Sequence, residues 1–377
     1  MSIKNSRNII KSCDNTGGGF LMKRINTRPI YVGGVQIGGQ NRCVLQSMTN
    51  VPAKNVKATV EQIRKLEEGG CEIARIAVLD EEDARAIPAI KAKTDMPIVA
   101  DIHFNHLLAL IAVEGGVDAI RINPGNIGSI EKTKAVVEAC KAHHIPIRIG
   151  INGGSLEKQF LDQYGGICAE AMIASADRHV KILEDLDFHD ICLSFKSSNV
   201  ELTVKVYELA AEHYPYPLHL GVTEAGGFTE SAVKSSAALG ILLHEGIGDT
   251  IRVSVSAPPE DELIIGRQLL KAFDLIEGVP DLISCPTCGR IQYNMLPLVK
   301  EMEQYLAGIH EDITVAIMGC PVNGIQEAGR ADVGIAGAYD SGILFRKGKV
   351  VRTVPQNEIK DALIAEIEKI IAEKHAG

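Results

Sequence analysis

Tryptophan is missing from this 377-residue chain, and the aromatic share is only 4%. That scarcity argues against platforms for stacking unpaired bases. Positive charge is also in deficit: 39 Lys and Arg against 48 Asp and Glu leave a formal net charge of -9. Such a balance disfavours nucleic acid or an anionic membrane as a whole-surface partner. No apolar run approaches the ~18 residues of a membrane span. The first twenty positions are polar, carry Gly17-Gly18-Gly19 and lack the apolar core of a signal peptide. A cytoplasmic protein is expected. In that reducing compartment nine cysteines do not read as a disulfide framework. Six of them, Cys13, Cys43, Cys71, Cys140, Cys168 and Cys192, are scattered singly, mostly in apolar runs that suit a small buried side chain.

What is abundant is apolar residues, at 46%, enough for one large domain and a smaller one. Apolar strands followed by amphipathic helices recur about every 25 to 30 residues, the length of a βα unit. Strands are expected at 43–48, 73–78, 98–102, 119–123, 147–151, 191–195, 218–222 and 251–255. Several intervening helices end in glycine, as at Glu68-Gly69-Gly70 and Glu114-Gly115-Gly116, where a left-handed cap is needed. An eightfold series of this kind predicts an α/β chain with a closed (β/α)8 TIM barrel rather than an open doubly wound sheet. The longer interval between the fifth and sixth strands predicts an extra helix around 155–168. A last barrel helix at 260–273 leads to Glu277-Gly278-Val279-Pro280, which reads as a linker. The barrel is therefore expected over 23–275 and a small α/β domain over 276–377, with residues 1–22 as an extension outside both. The second domain should contain a helix at 295–307, a strand at 314–318, a hairpin at 342–353 and a terminal helix at 358–375.

Barrel enzymes work at the carboxyl ends of their strands. Strand parity puts Arg121 with Asn123, Arg148 with Asn152, and Arg252 with Ser254 on common faces, while Arg75 and Lys196 fall on the second and sixth strands. Any one of these cations has a plain explanation as the partner of a nearby carboxylate. Five together in an acidic protein cost several kcal/mol of desolvation and repulsion unless an anion neutralises them, and a substrate with more than one phosphate does so. The counter-charges are few: Asp101 and His103 after the third strand, and Glu224 after the seventh, which His219 opens. Asp101 and Glu224 are either general acids or bases or the groups that hold the arginines, and a carboxylate beside cations makes a poor proton donor. His103 reads equally as a structural barrel histidine.

The last quarter of the chain carries Cys285-Pro286-Thr287-Cys288 and a lone Cys320-Pro321. Three thiolates with one coordination position left over suit either a structural zinc completed by a histidine such as His310 or an iron-sulfur cluster with an unusual fourth ligand. No second knuckle accompanies Cys320. Glu327, seven residues on, supplies a weak and exchangeable carboxylate.

Eight stretches now stand out: Gln46-Ser47-Met48-Thr49-Asn50, Ala100-Asp101-Ile102-His103-Phe104, Arg121-Ile122-Asn123-Pro124-Gly125, Arg148-Ile149-Gly150-Ile151-Asn152, Leu193-Ser194-Phe195-Lys196, Gly221-Val222-Thr223-Glu224-Ala225-Gly226, Cys285-Pro286-Thr287-Cys288-Gly289-Arg290 and Gly319-Cys320-Pro321-Val322-Asn323-Gly324. On these motifs, residues 24–354 or so resemble the 4-hydroxy-3-methylbut-2-enyl diphosphate synthase family, iron-sulfur enzymes of the methylerythritol phosphate route to isoprenoids. The chain is too short for the large insertion of plant members and resembles the compact bacterial form. The resemblance implies a 4Fe-4S cluster held by Cys285, Cys288, Cys320 and Glu327. It implies 2-C-methyl-D-erythritol 2,4-cyclodiphosphate bound by Arg75, Arg121, Asn123, Arg148, Asn152, Lys196 and Arg252, with His103, Ser194, His219 and Ser254 beside them. Glu327, Glu224 and Asp101 are the catalytic candidates. The implied reaction is a two-electron ring opening with loss of water, fed by flavodoxin or ferredoxin, in a homodimer whose cluster domains cap the partner's barrel. The alternatives are a non-redox barrel synthase or hydrolase of a phosphorylated substrate with a structural zinc, for which pterin-type synthases are the architectural analogy, and a non-catalytic cluster carrier, which the cationic mouth disfavours.

Overall fold

The computed structural model describes residues 24–376 apart from 104, 124–126 and 128. The extension expected over 1–22 lies outside the described residues, as do Cys13, Phe104, Pro124 and Gly125. The first elements are two short strands, β1 (Ile30–Val32) and β2 (Val35–Ile37), paired as an antiparallel hairpin. Strand alternation did not reveal them. Ile30, Val32 and Ile37 share a buried cluster with Val44, Ile73, Val99, Ala119 and Cys192, which lie at or near the first residues of five barrel strands. The hairpin is thus an apolar plug across the bottom of the barrel.

The barrel strands are β3 (Val44–Met48), β4 (Ile73–Ala77), β5 (Ile98–Asp101), β6 (Ala119–Ile122), β7 (Ile147–Asn152), β8 (Ile191–Lys196), β9 (His219–Leu220) and β10 (Thr250–Ile251). All pair in parallel, in the order β8-β7-β6-β5-β4-β3-β10-β9, and a bridge between Leu193 and Leu218 sets β8 beside β9 to close the ring. The last two strands pair over two residues each, shorter than the expected 218–222 and 251–255. The extended chain nevertheless runs on, since Arg252 N still donates to Leu220 O at 3.0 Å. Asn55, Asp80, Asn105 and Asn199 cap the helices Val56–Glu68, Glu81–Lys91, His106–Glu114 and Val200–His213 with side-chain oxygens, supplying acceptors for otherwise unpaired amides at the mouth end. The extra helix is Lys158–Tyr164 and the last barrel helix is Pro259–Ala272.

The C-terminal sheet runs β11 (Asp281–Ser284), β12 (Thr314–Met318), β13 (Val333–Ala338), β14 (Ser341–Arg346) and β15 (Lys349–Pro355) in that spatial order. Its first three strands are parallel and the rest antiparallel. Helices Met295–Ala307 and Ile359–Ala376 pack on one face around a core of their own, apart from the barrel core. On the other face the short helix Pro321–Glu327 contributes Ile325 to a smaller cluster around Met318 and Phe345. Among the described residues no helix is long and apolar enough to cross a membrane.

Candidate active site: a cationic barrel mouth and a thiolate end

Strand register sets the mouth. Asp101 on β5, Arg121 on β6 and Arg148 on β7 are direct neighbours across the sheet, and Arg75 on β4 lies beside Met48 on β3. All four charged groups are 5% exposed. Asp101 is their hinge: Oδ2 lies 3.4 Å from Arg75 Nε, and Oδ1 lies 3.2 Å from Arg121 Nη1 and 3.5 Å from His103 Nε2. Arg148 donates through Nη1 to Gln46 Oε1 at 3.1 Å, while its Nε and Nη2 are buried without a hydrogen-bond partner among the described residues. Two buried guanidinium donors without a partner carry a free-energy cost. Glycine makes room for this arrangement at position 150, where a Cβ would stand 2.5 Å from Arg121 Nη2 and 2.6 Å from its Nε.

The electrostatics follow from burial and crowding. Burial alone would raise the Asp101 carboxyl, but Arg75 and then Arg121 override it and hold the group at about 2. Burial, reinforced by Arg75, Arg252, Arg148 and Arg121, drives the Lys196 ammonium well below its ordinary value. Arg75 and Arg148 are likewise lowered by burial, and each also feels its cationic neighbours. His219 is fully buried among the mouth cations. Its Nδ1 faces Thr250 Oγ1 at 3.5 Å, and burial, then Arg148 and Lys196, drive its imidazole well below its ordinary value.

At the other site, Cys285 follows β11 and Cys320 follows β12, so both thiols emerge at the carboxyl end of the C-terminal sheet. Cys285 and Cys320 are half-buried and Cys288 is exposed. Gly319 N donates to Cys285 Sγ at 3.1 Å. A Cβ on that glycine would press to 3.0 Å from Ile291 Cγ1 and 3.1 Å from Met295 Sδ. Backbone and side-chain hydrogen bonds from Arg290 pull the Cys288 thiol down, and the same guanidinium feels Cys320 and Glu327. Glu327 ends the helix that Cys320 caps. His310, the imidazole considered for a zinc site, lies elsewhere. Its carbonyl sits against Gly278, at the end of the sheet where the strands begin. Among the described residues no three His, Cys, Asp or Glu side chains converge on a single-ion site.

The family model described as the GcpE TIM-barrel domain matches residues 27–267, and the one described as the GcpE protein C-terminal domain matches 281–369. This chain belongs to the GcpE family. The 4-hydroxy-3-methylbut-2-en-1-yl diphosphate synthase (flavodoxin) of Halalkalibacterium halodurans is 53% identical to it over 353 residues, covering 94% of this chain and 96% of that protein. The enzyme of the same name from Geobacillus kaustophilus is 52% identical over 358 residues, covering 95% and 96%. Among solved structures, the dihydropteroate synthase from Xanthomonas albilineans in complex with 7,8-dihydropteroate covers 64% of this chain and 98% of its own at 14% identity, with a TM-score of 0.44.

Within this GcpE barrel the remaining candidates fall at the same end. Ser194 is buried on β8 in register with Gly150, and Lys196 pairs in register with Asn152. Asn123 is 8% exposed just past β6. Ser254 is half-buried, and its carbonyl accepts from Ser231 Oγ at 2.8 Å. Glu224 stands exposed at the rim with φ of +53°, a left-handed conformation that a non-glycine residue rarely keeps without a reason. Two mouth groups escaped the sequence reading. Gln46 holds Arg148, and Glu262, 3% exposed on the helix Pro259–Ala272, is the carboxylate that meets Arg252. Glu262 shares its helix turn with Glu260 and Asp261, so in sequence it resembles an ordinary partner of the helix dipole.

Proposed function

We infer that the cationic mouth and the thiolate end are the two halves of one reaction centre. The chain is an oxidoreductase, a 4-hydroxy-3-methylbut-2-en-1-yl diphosphate synthase. Its reaction is the two-electron reductive opening of 2-C-methyl-D-erythritol 2,4-cyclodiphosphate, with loss of water, to the allylic diphosphate used in isoprenoid biosynthesis. The observation that carries the structural reading is the gathering of Arg75, Arg121, Arg148, Lys196 and Arg252 in one mouth where, among the described residues, Asp101 and Glu262 are the carboxylates paired with them. The uncompensated charge is what a diphosphate meets.

The donor set at the other end fits an iron-sulfur cluster. Cys285, Cys288 and Cys320 are soft thiolates and Glu327 is a hard, exchangeable one-corner ligand. Gly319 N–H and the Arg290 guanidinium offset the negative charge that cluster sulfurs carry. A bound 4Fe-4S cluster would relay, one at a time, the two electrons delivered by the external donor and would offer a Lewis-acidic iron. The protein supplies the rest. Arg148 and Lys196, which pair with no carboxylate among the described residues, answer the charge that develops on the phosphate oxygen as it leaves carbon. Asp101, ionised at any working pH, fixes Arg75 and Arg121 and does not donate a proton. To Glu224, exposed at the rim and without an ion pair among the described residues, falls the delivery of a proton to the departing hydroxyl.

The covalent connection favours a head-to-tail homodimer. The helix Pro259–Ala272 runs from the mouth to the bottom, where Arg267 Nη2 donates to Gly278 O at 3.2 Å and Lys271 Nζ meets Asp312 Oδ1 at 2.7 Å. The C-terminal strands start there, and the cysteines follow their far ends. A second copy brings its thiolates over the mouth. The electron donor is flavodoxin, as the relatives' names have it, or a ferredoxin, and the setting is the cytoplasm. Metal analysis of anaerobically purified protein tests the cofactor: about four iron and four sulfide per chain are expected, lost in Cys320→Ser and largely kept, without turnover, in Glu327→Gln. One zinc per chain and no sulfide would overturn the reading.

A further inference from the structure

Glu262 is the least expected charge in the barrel. Its Oε1 accepts from Arg252 Nη2 at 2.6 Å, and its Oε2 accepts from Arg252 Nε at 2.9 Å and from Ser47 Oγ at 2.8 Å. Both oxygens are therefore committed, and one whole edge of the Arg252 guanidinium is taken in a fork-to-fork pair. Both N–H groups of Nη1 and the second of Nη2 are left over, and Met48 Sδ, 3.9 Å from Nη1, is the acceptor described for Nη1. Helix-dipole compensation does not explain the contact. Glu260 and Asp261, half-buried in the same turn, already meet that need. Nor does fold stability alone explain it, because a buried ion pair is commonly no better than a well-packed apolar pair.

We infer that Glu262 is a positioning residue for the diphosphate: it locks the Arg252 guanidinium so that the Nη1 edge faces the substrate. The inference rests on the reading of the mouth as the diphosphate site. Arg252 follows β10, whose ladder ends at Ile251, so the backbone there is held on fewer sides than that of Arg121 or Arg148. A side chain on such a segment needs an anchor of its own, whereas Arg75 and Arg121 share Asp101. Ser47, on the neighbouring strand β3, fixes the carboxylate in turn.

The test is steady-state kinetics on the anaerobic, cluster-loaded enzyme with the cyclic diphosphate, for wild type, Glu262→Gln, Glu262→Asp, Arg252→Ala and the double variant Glu262→Gln/Arg252→Ala. Loss of a charge-assisted hydrogen bond predicts a KM raised about ten- to a hundredfold in Glu262→Gln, with kcat changed less. The amide also adds one net positive charge to the mouth, which by itself would lower KM, so a rise reports orientation. Placed on Arg252→Ala, the same substitution is expected to cost nothing further. Glu262→Asp, charged but on a shorter arm, should show a smaller rise, and it decides the matter alone if the amide variant does not fold. An unchanged KM in the Glu262 variants, or a loss that adds fully to that of Arg252→Ala, would overturn the inference. An unchanged KM in Arg252→Ala would instead remove the diphosphate reading on which it rests.

Discussion

The barrel mouth and the thiolate end treat their chemistry-bearing side chains in opposite ways. At the mouth, Arg75, Asp101, Arg121 and Arg148 are buried and braced by groups of the same chain. At the thiolate end, Cys288 is exposed, Cys285 and Cys320 are half-buried, and the Gly319 amide and the Arg290 guanidinium lie against the thiols. Physics separates the two. Cations crowded in low dielectric repel one another and must be restrained before a ligand arrives. Thiolates that bind a cluster draw their order from the metal, so folding of that end and metal binding are linked.

The largest expected effect comes from unbracing the mouth. Asp101→Asn leaves Arg75 and Arg121 buried without their shared carboxylate, a loss of about 3 to 5 kcal/mol on breaking a buried pair, readable as a lower denaturation midpoint together with near-complete loss of turnover. The pH dependence carries a sign. Because Asp101 is held at about 2, below its ordinary 3.8, its stabilisation is complete above 3.8 and disappears as pH falls through 2. Wild type and variant should therefore converge in stability over that acid range. Equal stability at neutral pH would break the contrast between the two ends. A smaller and local effect is expected from removing the cluster. Amide exchange should quicken around residues 285–292 and 319–327 while strands β4 to β8 keep their protection. Faster exchange across the barrel would show that the mouth, too, depends on the cofactor.

Much of this contrast is legible in the sequence. The eight barrel strands repeat a pattern that side-chain period and glycine caps make plain, and strand parity points Arg121, Arg148 and Arg252 the same way. The cysteine spacing singles out the thiolate end without its geometry. Other features escape for physical reasons. The β1–β2 hairpin has strands of three residues, too short for alternation to stand out. Strand β13, Val-Gly-Ile-Ala-Gly-Ala, is fully extended yet rich in glycine and alanine, which weakens any strand signal. Glu262 pairs with an arginine ten residues earlier across a strand-to-helix turn, a spacing that neither the strand period nor the helix period announces. His310 is close to Cys320 in sequence and at the opposite end of the sheet in space.

The central claim is that one chain's mouth works with another chain's thiolates, and mixing two dead enzymes tests it directly. Cys320→Ser keeps an intact mouth, and Arg148→Ala keeps an intact thiolate end. After subunit exchange under anaerobic, cluster-loading conditions, a mixed dimer is expected to pair the sound mouth of one copy with the sound cluster of the other. Turnover of the cyclic diphosphate should then reappear in the mixture although neither variant has it alone. A mixture that exchanges subunits fully and stays inactive would contradict the account.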